Sequence, residues 1–217
     1  MSHWTRSNPF RHAAQKALGL FALLLLAIWA ERSLTSWPGV LWLARWLLAA
    51  AAAQILAHRG SSTGGTSRFV FTTVLVVLAG CCFFGAVVLE NIYRVKGLNQ
   101  AVSVPGGLLF LVGLALRTSA QVTLGGLFHW NIRVVEGHRL VTTGPFRCCR
   151  HPSYLGVLLM ALASPLIANA YWSFLAFPIL LGCVLLRIHY EERVLRESLP
   201  EYAEYARRTA RLIPGIY

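Results

Sequence analysis

The chain has 217 residues, of which 56% are hydrophobic and only 13% are charged. Because a soluble domain carries about 25% charged residues and a disordered chain has low hydrophobicity, this composition argues against both a soluble globular enzyme and a disordered protein. The 20 Lys and Arg residues outnumber the 8 acidic ones and give a net charge of +12, which in a membrane protein is typical of basic cytoplasmic loops rather than of nucleic-acid binding. We therefore expect a multi-pass integral membrane protein.

Four apolar segments in the first part of the chain approach the length of about 20 residues that a membrane-spanning helix needs. The first follows a basic stretch, but no small-residue cleavage site comes after it, so we interpret it as a retained helix rather than a signal peptide. The four segments are 17–30, 39–57, 69–89 and 105–118.

A fifth apolar region, residues 154–187, is too long for one ordinary crossing and short for two. Its centre contains Asn169 and Ser173, which favour a turn, and Tyr171 and Trp172, which favour the membrane interface. The simplest prediction is a tight helical hairpin of two short crossings. The predicted fold is therefore an all-α polytopic membrane protein with about six crossings, since open backbone cannot face lipid.

The positions of the basic residues predict the orientation of the chain. If the N-terminus lies inside, most Arg and Lys residues outside the spans fall in segments on the cytoplasmic side, so we expect both termini to be cytoplasmic. In this organisation residues 1–120 are the N-terminal transmembrane helices. Residues 121–217 form the cytoplasmic loop, the hairpin and a C-terminal helix, where a cytoplasmic site could be built, within one structural domain.

Two polar stretches, 121–154 and 187–217, flank the predicted hairpin, which would bring them together at a cytoplasmic pocket. In the first stretch, Pro152 can begin a helix, which puts Arg150 and His151 at a helix N-terminus that favours an anion. An arginine-rich loop that contacts anionic lipid headgroups explains the same residues equally well.

In the second stretch, Arg187 and Glu191 are four residues apart and share one helix face at the membrane boundary. An ordinary ion pair has this spacing, but ionisable residues at that depth are costly unless they have a use. Further on, Tyr202, Tyr205 and Leu212 recur at helical spacing, which predicts a helix that lies on the membrane surface or packs on the loop.

These motifs resemble the RHPxYxG…EE signature of the isoprenylcysteine carboxyl methyltransferase family of integral membrane enzymes. Residues 150–156 read RHPSYLG, and the pair Glu191 and Glu192 follows the predicted hairpin. The resemblance continues from Leu116 to Ile216, whereas the earlier part of the chain is similar only as apolar spans.

The resemblance implies S-adenosyl-L-methionine bound on the cytoplasmic side and a lipid-like or prenylated acceptor that enters from the bilayer. Arg187 would be the catalytic residue that binds the acceptor. Two departures are Phe146, where the family often has Tyr, and Asn131, where it often has Gln. The implied cofactor-binding residues are His138, Arg139, Leu140, Val141, Phe146, His151, Pro152, Ser153, Tyr154 and Glu191.

The chemistry of methyl transfer suits these residue types. Glu191 can accept hydrogen bonds from a ribose, adenine or amino group of the cofactor, and a carboxylate acceptor needs one cation such as Arg187 but no general base. An amine acceptor would need a base, for which His129, His138 or His189 could serve, so the residues leave the acceptor open.

Other functions remain open at this point. The acceptor could be a phospholipid amine or a thiol, and an NADPH-dependent membrane sterol-type reductase or a non-catalytic haem or nitrogen-oxide accessory protein would show a similar turn. We expect no metal site, because the adjacent Cys148 and Cys149 are poorly arranged as tetrahedral ligands.

Overall fold

The computed structural model describes residues 16, 18–27, 38–57, 70–94, 98–125 and 140–216. Most of these residues are helical, and they contain no strand, only one isolated bridge between Cys149 and Ala210, so the all-α prediction is confirmed for them. Short 3-10 helices span Gly144–Arg147 and Tyr171–Ala176. The α-helices are α1 (Leu18–Ala27), α2 (Pro38–Ala57), α3 (Val70–Arg94), α4 (Gln100–Leu124), α5 (Pro152–Ala168), α6 (Phe177–Ser198) and α7 (Tyr202–Arg208).

Within the described part of the chain, three stretches of helix are long and apolar enough to cross a membrane, namely Phe71–Arg94, Gln100–Leu124 and Tyr171–Ser198. Their outer faces expose large apolar side chains, such as Leu108 at 60% and Ile179 at 66%. An apolar outer surface of this kind suits a lipid solvent, and the protein is an integral membrane protein. The number of crossings and the side on which each terminus lies stay predictions.

Helices α3 and α4 are longer than the apolar segments 69–89 and 105–118 that predicted them. Helix α3 continues to Arg94, and α4 begins at Gln100, where the side chain of Asn99 accepts a hydrogen bond from the backbone N–H of Ala101 and caps the helix. Hydropathy marks the apolar part of a helix, whereas hydrogen bonding continues into polar turns at its ends.

Helices α4 and α5 approach each other closely at Gly113 and Gly156. A Cβ atom on Gly113 would lie 2.7 Å from the carbonyl oxygen of Gly156, and one on Gly156 would lie 2.5 Å from the oxygen of Gly113. Small residues let helices approach closely in membranes, where dispersion contacts replace the hydrophobic effect as the driving force. This contact sets the first turns of α5 against Arg117 of α4.

The chain reverses after α5 within the region predicted to form the hairpin. Asn169 adopts a left-handed conformation with φ of 56°, which Asn tolerates better than most residues. Its side-chain Oδ1 accepts from the backbone N–H of Asn99, and its Nδ2 donates to Ser103 at 2.8 Å. The turn is therefore anchored on the beginning of α4.

The 3-10 helix that follows is held by helix α3. The carboxylate of Glu90 accepts hydrogen bonds from the backbone N–H groups of Trp172 and Ser173, at 2.8 and 2.6 Å, and from the Ser173 hydroxyl. These hydrogen bonds fix the turn at one end of the pair of helices α5 and α6. The beginning of α5 and the end of α6 lie together at the opposite end of the pair.

A buried amide joins three helices near the turn. Asn91 of α3 accepts from the backbone N–H of Val40 at 3.1 Å and donates to the carbonyl of Ala168 at 2.6 Å. These two backbone groups lie at the start of α2 and the end of α5, where helices leave such groups without intrahelical partners. One apolar core runs from α2 to Leu212 near the C-terminus.

Candidate functional site

A chain of two short hydrogen bonds connects three of the residues predicted to form the site. Helix α6 carries Arg187 and Glu191 one turn apart, and Tyr154 lies in the first turn of α5. The Tyr154 hydroxyl donates to Oε2 of Glu191 at 2.6 Å and accepts from Nε of Arg187 at 2.6 Å. The three side chains therefore form one unit in which a cation and an acid share a hydroxyl.

Arg187 is only 5% exposed. Its Nη1 donates to the hydroxyl of Thr73 at 2.6 Å and lies 3.3 Å from that of Thr72, both on α3. The cation also lies over the ring of Tyr154, with 5.8 Å between Cζ and the ring centroid. A snorkelling arginine keeps its charged end in water, whereas this guanidinium is held inside the protein by hydroxyl groups.

Glu192 is 3% exposed and collects cations from both polar stretches. Its Oε1 lies 3.0 Å from Nε of Arg150 and 3.3 Å from Nε2 of His151. Its Oε2 lies 2.9 Å from Arg211 and 3.5 Å from Arg196. The two neighbouring acids thus have different partners. Glu191 accepts from the Tyr154 hydroxyl, whereas Glu192 lies among basic side chains.

The C-terminal segment packs directly on the loop that contains RHPSYLG. The backbone N–H groups of Arg150 and His151 donate to the carbonyls of Ala210 and Arg211 at 2.8 and 3.2 Å. These contacts confirm that the segment packs on the loop, but the predicted continuation of its helix to Leu212 is wrong. The helix ends at Arg208, since Thr209 is extended and Ala210 forms a bridge with Cys149 of the loop.

A tyrosine of α7 fixes the 3-10 helix before this loop. The hydroxyl of Tyr205 donates to the carbonyl oxygen of Phe146 at 2.7 Å. Burial raises the pKa of Tyr205 to about 12, so the hydroxyl keeps its proton even at alkaline pH. Phe146 itself is buried, and its backbone is tied to the C-terminal segment.

The remaining predicted residues divide by location. His138 and Arg139, and the alternative base His129, lie outside the described residues. Leu140 and Val141 are half-buried, and Pro152 is the buried first residue of α5. The hydroxyl of Ser153 accepts from Nη1 of Arg117 at 3.1 Å. His189 is exposed on α6.

Two features of the site are not apparent from the sequence. Glu192 stands there only as the second acid of a motif, although two adjacent helical residues point about 100° apart and so must face different partners. The sequence does not link Thr72 and Thr73 to Arg187, because the two threonines lie inside an apolar span, 115 and 114 residues away from it.

The residues present fit a nucleoside-containing cofactor with an amino acid tail. Glu191 is half-buried and uses Oε2 for Tyr154, and a carboxylate has further lone pairs to accept from a hydroxyl or amino group. Leu140 and Val141 are half-buried, so they offer apolar surface for a base.

The chain is similar in sequence to several known proteins. Residues 107–197 match the profile of the Isoprenylcysteine carboxyl methyltransferase (ICMT) family. The chain is 30% identical over 161 residues to Protein-S-isoprenylcysteine O-methyltransferase B of Arabidopsis thaliana, covering 70% of this chain and 82% of that protein. It is 35% identical over 119 residues to a probable protein-S-isoprenylcysteine O-methyltransferase of Oryza sativa subsp. indica, covering 53% of this chain and 62% of the relative.

A solved structure shares the fold. It is the eukaryotic intramembrane Ras methyltransferase ICMT, which superimposes with a TM-score of 0.61 at 22% identity and covers 94% of this chain and 77% of that one. The match to the rice relative spans less than two thirds of that protein's length.

Proposed function

Because this chain belongs to the isoprenylcysteine carboxyl methyltransferase family, we propose that it is a membrane methyltransferase that uses S-adenosyl-L-methionine. The acceptor is the C-terminal carboxylate of an isoprenylcysteine or a similar lipid-like acid that enters from the bilayer. The pocket faces the cytoplasm, with both termini on that side and about six crossings.

The observation that supports this proposal most directly is the hydrogen-bonded unit of Arg187, Tyr154 and Glu191. A buried guanidinium suits a carboxylate, because its planar fork matches the two oxygens. A carboxylate one helical turn away suits the hydroxyl and amino groups of a cofactor. The shared tyrosine holds the two at a fixed separation.

The residues act by orienting the reactants. The sulfonium of the cofactor supplies the methyl group. Arg187 aims an acceptor oxygen, and the Tyr154 hydroxyl keeps the guanidinium in register with Glu191, which holds the cofactor. Such positioning contributes about 7–11 kcal/mol to in-line transfers between bound groups, and an ionised carboxylate needs no base.

The cofactor wall is assigned in the same way. Leu140, Val141 and Phe146 would contact the base, and Ser153 and Pro152 would line the start of α5. The resemblance adds His138 and Arg139. His151 would bind the cofactor through its ring or through the backbone N–H groups of the adjacent helix N-terminus. Its Nε2 stays beside Glu192.

The purified protein tests this function with two acceptors. A farnesylated cysteine with a free carboxylate should take up a labelled methyl group from S-adenosyl-L-methionine, and the corresponding amide should not. Calorimetry should detect S-adenosyl-L-methionine but neither NADPH nor haem. Binding of NADPH without S-adenosyl-L-methionine would overturn the proposal in favour of a reductase.

A further inference from the structure

The guanidinium of Arg187 lies where three helices meet. Nε donates to Tyr154 of α5 at 2.6 Å, and Nη1 donates to Thr73 of α3 at 2.6 Å. A guanidinium is planar, so two anchored nitrogen atoms fix the orientation of the whole plane. Contacts from α5 and α3 therefore set the orientation of the guanidinium, together with α6, which carries Arg187.

Thr73 lies outside the part of the chain that matches the family profile, which begins at residue 107. A threonine hydroxyl within an apolar helix can donate to a carbonyl of its own helix and still accept a hydrogen bond from another helix. Here the hydroxyl accepts from a charged donor 114 residues away. Hydrogen bonds to charged groups are the stronger class.

We propose that Thr73 is a positioning residue of the acceptor subsite, which holds the guanidinium plane of Arg187 so that the acceptor carboxylate meets it in one orientation. This inference rests on the proposed function. A bidentate contact needs the carboxylate and the guanidinium to be coplanar, and a rotated plane keeps only one of the two bonds. Thr73 does not contact the acceptor itself. Helix α3 affects which acceptor binds only because Thr73 orients Arg187.

The test compares Thr73→Val, which removes the hydroxyl and nearly keeps the shape, with Thr73→Ser, which keeps the hydroxyl. We expect kcat/KM for the farnesylcysteine acid to fall about tenfold in Thr73→Val, with S-adenosyl-L-methionine affinity and binding of the neutral amide unchanged. Thr73→Ser should restore the parent value. Thr73→Ala, with a smaller side chain, should reproduce the loss if the valine variant folds poorly.

The preceding residue offers a graded comparison, since its hydroxyl contacts the same guanidinium less closely. Thr72→Val removes a hydroxyl that lies 3.3 Å from the same nitrogen, a longer contact that should matter less. A Thr73→Val protein that methylates the acid as the parent does, or that loses acid and amide binding equally, would overturn the positioning role and leave the proposed function standing. A parent protein that neither methylates the acid nor prefers it to the amide would overturn both.

Discussion

The Nε2 atom of His151 lies 3.3 Å from Oε1 of Glu192, although 41 residues separate them. His151 directly precedes α5, and Glu192 lies in the last turns of α6. Their contact therefore joins the beginning of α5 to the end of α6, beside the unit formed by Arg187, Tyr154 and Glu191. The same acid also lies 3.0 Å from Arg150. The position of Arg150 and His151 therefore depends on the buried charge of Glu192, which is not one of the residues proposed to contact the reactants.

Glu192→Gln should destabilise the protein strongly. The substitution leaves the basic partners of Glu192 without a countercharge, and breaking a buried ion pair costs about 3–5 kcal/mol. The measurement is thermal unfolding in detergent. Glu197→Gln is the control on the same helix, because its pair with Arg193 is 54% and 66% exposed and should contribute at most about 1 kcal/mol. Equal shifts in the two variants would contradict the role of Glu192.

Glu191→Gln should weaken S-adenosyl-L-methionine binding while changing stability less than Glu192→Gln does. Loss of a charge-assisted hydrogen bond costs about 1.5–3 kcal/mol, which corresponds to roughly a ten- to hundredfold rise in Kd. Calorimetric titration measures it. Unchanged cofactor affinity would remove Glu191 from the cofactor site.

Arg187→Lys should leave S-adenosyl-L-methionine binding nearly intact and lower methylation of a prenylcysteine acid by about one to two orders of magnitude, or 1.4 kcal/mol per factor of ten. An ammonium group keeps the charge but has no planar fork for the acceptor or for the hydroxyls of Tyr154 and Thr73. Arg193→Lys, on the exposed side of the helix, is the control. Parental turnover in Arg187→Lys would show that the charge alone suffices.

Gly156→Ala should separate α4 from α5. The added Cβ would lie 2.5 Å from the carbonyl oxygen of Gly113 and 2.9 Å from the backbone N of Arg117, and overpacking of this kind costs about 1–3 kcal/mol. Gly182→Ala on α6 is the matched control, since its Cβ would have no neighbour within 4 Å and alanine is the better helix former by about 1 kcal/mol. Urea or thermal unfolding should separate the two variants in opposite directions.

Those parts of the site that lie close together in sequence could be predicted. Residues 150–156 and the pair of acids on α6 form recognisable local motifs, and the polar turn at Asn169 follows from residue types that interrupt an apolar run. These features depend on the chain within one or two helical turns.

The contacts that could not be predicted join distant segments. Whether Glu191 or Glu192 meets Tyr154 depends on the rotation of α6, which is set by packing against α3 and not by the two-residue motif. The early end of α7 has the same origin, because Thr209 becomes extended where the neighbouring backbone pairs with residues 149–151. A helical repeat of apolar residues carries no information about such a competing partner.

The side-chain amide of Asn91 limits how freely the first helices of this protein can be exchanged with those of a relative. It completes the hydrogen bonding of Val40 at the beginning of α2 and of Ala168 at the end of α5. A chimera that joined residues 107–217 to foreign helices would leave the Ala168 carbonyl buried with no donor, at a cost of about 1–3 kcal/mol. Helices α2 and α3 are thus not an interchangeable membrane anchor, and a graft of this C-terminal region keeps more of its stability where the foreign helices bring an amide to the same position.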